Sequence, residues 1–532
     1  MTLLELWTQA EGLLPELTLS VTLCAVIVAD MFAPLRRSMA VCGWLSLAGT
    51  LTALGVVAAR LPIGGRGSGG SVPGLNALTF FGAIVHDEIS VFFHVLFLLG
   101  AAAIVLFSLR SRETAGYRQG EYYSLLLGAV LGACFLVSAD NILVFVLGFE
   151  TLSLCSYVLA GFVKHERLSA EASLKYMIYG AVTSGVMLFG LSYLYGLTGT
   201  LAIGDGMGAL RDLSAAGGPQ RLALMMIFVL VLAGIGFKIA MAPFHFWCPD
   251  VYQGSPTPVT AFLSVVSTAA GFGALLRLLL PFFMAAPAGP AAHDLPVLFG
   301  VFSVATMTLG NLVAIRQTDV KRLLAYSSIA HAGYMLLGLT VYTPESLEAI
   351  LFYLFVYLFM NLGAFWIVVV LVNRLGGPQI GLFRGVAAKA PFLFFALFVF
   401  LIALTGLPPT AGFVGKFMLF KVVVGAGISH MQAADGVGGG GQTPMSAFYI
   451  ALALATVLNS VVSLYYYMKI ARVMVFEKAA EADADRVRAG IGEERALGDD
   501  FLDRAGAALF LAPTLGLLYF APVLDLIRWS AR

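Results

Sequence analysis

Charge is what this sequence has least of. Only 11% of its 532 residues are charged and 60% are hydrophobic, whereas a water-soluble domain carries about 25% charged residues. That is too little charge to cover a folded surface in water, so the outer surface is expected to face lipid. The 31 Lys and Arg are offset by 30 Asp and Glu, for a net charge of +1, which excludes the basic field that holds nucleic acid. Cysteine is equally sparse. The five, at 24, 42, 134, 155 and 248, lie in or beside apolar stretches and never form a Cys-x-x-Cys spacing. Neither a disulfide framework nor a metal or iron–sulfur site is expected, and no cofactor is assigned to the chain. A basic leader is also missing: the first apolar run, Leu17 to Phe32, follows Glu5, Glu11 and Glu16, so it reads as a retained span.

What the sequence has in abundance is long apolar runs. Crossing ~30 Å of hydrocarbon takes about 20 residues of helix. Fourteen segments qualify, near 14–34, 39–60, 88–109, 121–138, 140–163, 171–197, 221–248, 257–281, 295–315, 321–341, 346–374, 391–424, 446–474 and 501–528. The predicted fold is therefore an all-α polytopic membrane protein of about fourteen transmembrane helices. The Gly-rich stretches at 61–74 and 435–442 and the charged segment 477–500 are connections that could bury no core. Twenty Lys and Arg fall in loops after odd-numbered spans and seven on the other side. This bias puts the odd loops in the cytoplasm and both termini outside.

Three charges stand where lipid forbids them. Glu150 lies about ten residues into the fifth span, Lys238 in "VLVLAGIGFKIAMAPFHFW", and Lys416 in "LTGLPPTAGFVGKFMLF". Each costs roughly 2.5–3.5 kcal/mol at mid-span, so each is expected to face a protein interior or a wet cavity. A structural ion pair gluing two helices is the plainer alternative. Pro243 follows Lys238 by five residues, and Pro408 and Pro409 precede Lys416, so the seventh and twelfth spans should both be interrupted. Their separation by five spans makes them antiparallel, as two inverted five-helix repeats (spans 4–8 and 9–13) require. The resulting division is 1–120 for an N-terminal three-helix segment, 121–281 and 295–474 for the repeats, and 475–532 for a cytoplasmic loop and the last span.

His331, about ten residues into the tenth span with Ser327, Ser328 and Tyr334 within a turn, can take or release a proton at small cost. Helix packing is the competing role for it. Lys175 begins its span beside Glu171, and Tyr465-Tyr466-Tyr467 reads as an interfacial aromatic belt. His86 and His94 read as an interfacial and a packed histidine. Gly128 to Gly132 predicts close helix packing. A carboxylate that moves relative to a desolvated lysine switches that lysine between holding and releasing a proton, which is an element of a pump.

The segments "LKYMIYGAVTSGVMLFGLSYLYGLTG", "GFKIAMAPFHFWCPDVYQGSPTPVTAFLS", "QTDVKRLLAYSSIAHAGYMLLG" and "LTGLPPTAGFVGKFMLF" resemble the antiporter-like subunits of proton-pumping NADH:quinone oxidoreductase (respiratory complex I), most of all the N type. The resemblance covers about residues 120–475. It implies a proton-translocating membrane subunit (a translocase component) in a bacterial inner membrane, coupled to electron transfer in other subunits. NADH, FMN, iron–sulfur clusters and quinone would belong to those partners, among them an M-like antiporter subunit and small K-, J- and A-like subunits. It further implies that Glu150 tunes a lysine, Lys238 is the broken-helix lysine, His331 a central relay, Lys416 the terminal lysine and Lys175 a secondary one. Thr268 stands where the family usually has lysine, so either Ser264, Ser267 and Thr268 carry a water chain between Lys238 and His331 or the central relay is altered. A subunit of the multisubunit sodium/proton antiporters and a purely structural subunit are the alternative readings.

Overall fold

The computed structural model describes residues 12–32, 35–60, 78–79, 82–115, 117–215, 218–284, 291–435, 444–477, 500–517 and 521–530. The connection expected at 61–74, that at 435–442 beyond Asp435, and most of 477–500 lie outside these. In chain order the elements are α1 (Leu14–Phe32), α2 (Leu35–Ala58), a hairpin of β1 (Leu78–Thr79) and β2 (Ile84–Val85), α3 (Glu88–Arg110), α4 (Gln119–Ser138), α5 (Ile142–Ala160), α6 (Arg167–Thr198), α7 (Ile203–Ala215), α8 (Pro219–Lys238), α9 (Trp247–Gly254) and α10 (Thr257–Phe262). A π-helical turn (Leu263–Ser267) leads into α11 (Thr268–Met284). There follow α12 (Ala291–Ala314), α13 (Val320–Gly338), α14 (Pro344–Leu375), the short α15 (Val386–Lys389), α16 (Pro391–Thr405), α17 (Ala411–Asp435), α18 (Pro444–Phe476), α19 (Phe501–Gly516) and α20 (Ala521–Ser530).

Among the described residues, twelve helices are long and apolar enough to cross a membrane. The sequence reading of fourteen differs at the tenth and fourteenth segments. The tenth is α13, which carries Lys321, Arg322, Ser327, Ser328 and His331 and is buried over most of its length, so its polar groups are served by neighbouring helices rather than by lipid. The fourteenth is divided into α19 and α20. The twelfth, read as one run, is α16 and α17, of which only α17 is long enough to span. The glycine-rich "GDGMG" at 204–208 lies in the first turns of α7.

Burial is uneven along the chain, and this decides where the site can be. The Thr257–Phe283 span is buried throughout its apolar window, and α3 and α14 nearly so, whereas α1, α6 and α18 turn most of theirs outward. A helix whose every face is apolar and covered is a core helix. The core therefore runs through α3, α10, α11 and α14.

Several local structures occur twice. Asn141 caps α5 by accepting from the Leu143 amide, and Asp319 caps α13 by accepting from the Lys321 and Arg322 amides. Each cap sits in a two-bond backbone bridge to the loop after the next helix: Ile142 N to Leu201 O and Ile203 N to Asp140 O in the first, Val320 N to Pro378 O and Ile380 N to Thr318 O in the second. The helices that follow the capped ones, α6 and α14, are both 32 residues long and end at left-handed Gly199 and Gly376. The preceding helix pairs approach backbone to backbone at glycine. A Cβ on Gly132 would meet the Leu152 amide at 2.6 Å and one on Gly148 the Leu136 amide at 2.7 Å; on Gly310 and Gly333 it would meet the Ala330 and Met307 amides at 2.7 and 2.5 Å. The close approach read from Gly128 and Gly132 is thus real at Gly132.

Ion pairs between distant loops follow one parity. Arg110 and Arg374 converge on Asp503, with Arg110 also on Asp500, Arg384 pairs with Glu477, and Lys175 and Arg322 share Asp250. All of these lie at odd-numbered connections. Arg277 with Asp87, Arg221 with Asp294, and Arg528 with Glu348 join even-numbered ones. No pair among them links an odd to an even connection. The five cysteines are free.

Candidate functional site

The first break begins at Lys238, the last residue of α8. Helix geometry ends there through Ala240, a non-glycine residue at φ +54°, followed by a cis Ala242–Pro243 peptide. Ending a helix in the core frees carbonyls that must find donors. The Trp247 indole supplies one, donating to Phe237 O at 2.9 Å, while the Met241 amide reaches Gly236 O at 2.7 Å and the Ala242 amide reaches Thr306 Oγ1 at 3.1 Å. Trp247 is stacked on Tyr176 with centroids 4.4 Å apart, so α6 braces the break.

Lys238 is completely buried. Its Nζ donates to Ser153 Oγ on α5 at 3.0 Å and lies 5.6 and 5.9 Å from the Phe149 and Tyr176 ring centroids. Ser153 is three residues after Glu150, hence on the same helix face. Glu150 makes no ion pair with Lys238, and its Oε1 is buried without a hydrogen-bond partner. The first turn of α11, just after the π-helical turn, packs on the same lysine: a Cβ on Gly271 would come within 3.3 Å of Lys238 Cβ.

Of the hydroxyls expected between Lys238 and His331, Ser267 Oγ is buried and unpartnered, while Thr268 Oγ1 donates to Leu263 O within its own helix. Ser264 is joined to the second half. Asn361 Nδ2 on α14 donates to Ser264 Oγ at 3.0 Å and to Tyr357 OH at 3.0 Å, and Tyr357 OH donates to Ser328 Oγ at 2.8 Å. His331, one turn after Ser328, has Nδ1 2.6 Å from Tyr353 OH and Nε2 3.3 Å from Tyr467 OH. Tyr467 OH is in turn bonded to Ser327 Oγ.

The second break separates α16 from α17. It contains left-handed Gly406 (φ +85°) and a cis Pro408–Pro409 peptide. Lys416, 8% exposed, returns from α17 to the end of α16, where its Nζ donates to Leu404 O at 3.1 Å and Thr405 O at 2.9 Å. The lysine thus satisfies carbonyls that the break set free. Its Nζ also lies 4.3 Å from the centroid of Tyr334, whose ring is 5.9 Å from that of His331. A cavity of about 320 Å³ opens beside it, lined by Thr405, Phe413, Lys416, Thr456 and Ser460 among others.

Lys238 thus stands on Ser153, Ser264 is joined through Asn361 and Tyr357 to Ser328, His331 is bonded to Tyr353 and Tyr467, and Lys416 lies beside Tyr334, all of them buried. Lys175 is elsewhere: 38% exposed in its side chain, it pairs with Glu171 at 2.8 Å and Asp250 at 2.6 Å. Sequence reading missed the tyrosines and asparagines. The triplet Tyr465–Tyr467 reads as an interfacial belt, but of the three only Tyr465 is exposed; Tyr466 and Tyr467 are buried, Tyr466 OH donating to Asn311 Oδ1 at 3.0 Å. Helical phasing held the signal, because Ser463, Tyr466, Tyr467 and Ile470 share the buried face of α18. His86 and His94, read as interfacial and packed, are both fully buried.

Two broken helices in a polytopic all-helical fold, each with a lysine at its break, define a membrane protein of the ion-translocating kind. The chain belongs to the NADH:quinone oxidoreductase/Mrp antiporter transmembrane family, whose model matches residues 139–440. It is 42% identical over 499 residues to NADH-quinone oxidoreductase subunit N of Anaeromyxobacter sp. (strain Fw109-5), an alignment spanning 91% of each chain. It is similar in structure, at TM-score 0.68 and 29% identity over 96% of this chain and 98% of the other, to a chain of respiratory complex I from Thermus thermophilus with bound aureothin. A chain of the Mrp complex from Dietzia sp. DQ12-45-1b has the same fold, at TM-score 0.76 and 22% identity over 100% of this chain and 97% of that one.

Proposed function

We propose that this chain is the N-type proton-translocating membrane subunit of an NADH:quinone oxidoreductase. It moves protons across a bacterial inner membrane while electron transfer from NADH to quinone proceeds in partner subunits. The carrying observation is Lys238, a fully buried amine whose one hydrogen-bond partner is a neutral hydroxyl, Ser153. A buried ammonium without a carboxylate on it costs several kcal/mol, so the site favours release of the proton until a negative charge approaches. Glu150 supplies that charge from the same helix face.

In this reading Lys238 is the first proton-holding station, the Ser264–Asn361–Tyr357–Ser328 chain and His331 are the middle, and Lys416 beside its cavity is the last. Ser267 and Thr268 line the gap between Lys238 and Ser264, where water completes the path. Lys175 acts secondarily, by fixing α9, the short helix after the first break, through Asp250. The duplicated caps, bridges, glycine contacts and breaks support two inverted five-helix units, at 121–281 and 295–474, with 1–120 and 475–532 flanking them. The parity of the ion pairs supports alternating loops, and the Lys and Arg bias supports both termini outside. Partners of this chain are an M-like antiporter subunit and small K-, J- and A-like membrane subunits. FMN, iron–sulfur clusters and the quinone site belong to other subunits.

The experiment is NADH-driven proton uptake by proteoliposomes carrying the assembled complex with Lys238→Ala. Loss of uptake with intact assembly is expected. Unchanged uptake would leave a structural membrane subunit as the better reading.

A further inference from the structure

Outside the line of lysines, one cluster of ligating side chains has no role in proton transfer between the two breaks. Glu16, in the first turn of α1, His86, between β2 and α3, and His94, on α3, are 1%, 1% and 0% exposed. One ligand atom from each lies within 4.8 Å of the others. Both carboxylate oxygens of Glu16, both ring nitrogens of His86 and Nδ1 of His94 are buried without a hydrogen-bond partner. Five buried polar atoms without hydrogen-bond partners on three adjoining side chains are a density of unmet bonding that a folded core does not sustain for nothing, since each costs about 1–3 kcal/mol.

We propose that Glu16, His86 and His94 form a binding site for one divalent transition-metal cation of the zinc type. Two imidazoles and a carboxylate are the protein ligands of an open tetrahedral zinc site, with water in the fourth position. Bonds of ~2.0 Å put tetrahedral ligands about 3.3 Å apart, a spacing inside the 4.8 Å within which the three ligand atoms lie. The two imidazole rings face the same region with centroids 6.1 Å apart at 59°, as ligands on separate vertices do. His94 is held from behind, its Nε2 lying 3.3 Å from the Cys134 carbonyl and 3.1 Å from Ser138 Oγ. Backbone carbonyls and hydroxyls of this kind orient ligating histidines.

The surrounding charges leave the set available. Asp87, next to His86, is committed to Arg277 by bonds of 2.6 and 3.0 Å and to the cap of α3. The Arg60 guanidinium reaches the Gly12 carbonyl at 3.0 Å, and the one carboxylate of the cluster offsets part of the cation's charge. The ion would tie α1 to α3 and to the hairpin before it, clamping the N-terminal helices at an even-numbered connection. Neither this site nor its function depends on the lysine relay.

The test uses the intact complex containing this chain, purified in detergent, stripped with a chelator and reloaded with Zn²⁺ or Co²⁺ alone. The expected result is one more zinc per complex in the native assembly than in Glu16→Gln or His86→Gln assemblies. Native Co²⁺ protein should show the intense visible bands of tetrahedral cobalt, and added Zn²⁺ should raise the native Tm but not that of the His86→Gln form. Native protein that takes up no zinc, or the same zinc content in native and variant assemblies, would overturn the proposal. If Glu16→Gln does not assemble, the cobalt spectrum of native protein and the His86→Gln comparison decide it.

Discussion

Lys238 Nζ is bonded to Ser153 Oγ at 3.0 Å, while Glu150, three residues earlier on the same helix face, forms no ion pair with it. This separation is what a switch needs. A permanent ion pair would fix the lysine's proton, because an adjacent opposite charge favours the charged form. A carboxylate held one step away stabilises the ammonium only when side chains or water bring the two together.

Replacing Ser153 by Ala removes the one hydrogen-bond partner that amine has among the described residues. A bond to a charged group is worth about 1.5–3 kcal/mol, and the variant leaves the Lys238 amine without it. Proton uptake by proteoliposomes bearing Ser153→Ala should be slowed with assembly intact, and an unaltered rate would remove Ser153 from the path.

Glu150→Gln keeps the shape and abolishes the charge. Proton uptake per NADH oxidised should drop while the subunit remains in the complex, as judged by native gel and zero-denaturant sedimentation. Full coupling in that variant would show that Glu150 serves packing alone.

Gly406→Ala tests how the second lysine is held. The position has φ +85°, and a Cβ would stand 2.7 Å from Lys416 Cδ. The left-handed backbone alone costs about 1 kcal/mol for alanine, and the contact adds to it. A lower Tm of the complex together with weaker pumping is the predicted outcome; a native-like Tm and pumping rate would show that Lys416 is not confined by the break.

Asp250 joins the first break to α13, with Lys175 and Arg322 each 2.6 Å from its carboxylate. Burial pushes its pKa up, but the hydrogen bonds and charges of Lys175 and Arg322 outweigh burial and hold it below the usual 3.8. A carboxyl depressed on folding stabilises the protein above its unfolded pKa and loses that contribution as pH falls through the folded one. The native complex should therefore lose more Tm than Asp250→Asn between pH 5 and more acidic buffers. Parallel pH curves would show that the pairs are energetically silent.

The sequence exposed those features that violate the rules of lipid. Glu150, Lys238 and Lys416 are conspicuous because nothing apolar explains them, and the breaks because proline cannot continue a helix. Tyr353, Tyr357, Tyr467 and Asn361 were hidden, since a tyrosine in an apolar run packs as well as it bonds. The α13 helix was legible as a span by length but not by composition, because its polar residues are buried in protein. The Glu16–His86–His94 cluster was invisible to any spacing rule: its members come from three separate segments that only the fold of the first helices brings together. Lys175 reads as beginning its span beside Glu171, whereas α6 starts two turns earlier at Arg167; Glu171 is indeed a partner, but Asp250 lies 75 residues away.

In the proposed function the two lysine stations are joined through His331, whose ring nitrogens lie 2.6 and 3.3 Å from the hydroxyls of Tyr353 and Tyr467. Proton yield per NADH oxidised, measured in proteoliposomes with His331→Phe, tests it most directly. The account predicts a yield clearly below the native value in a fully assembled complex; a native yield would mean that protons do not pass between the two halves by this route.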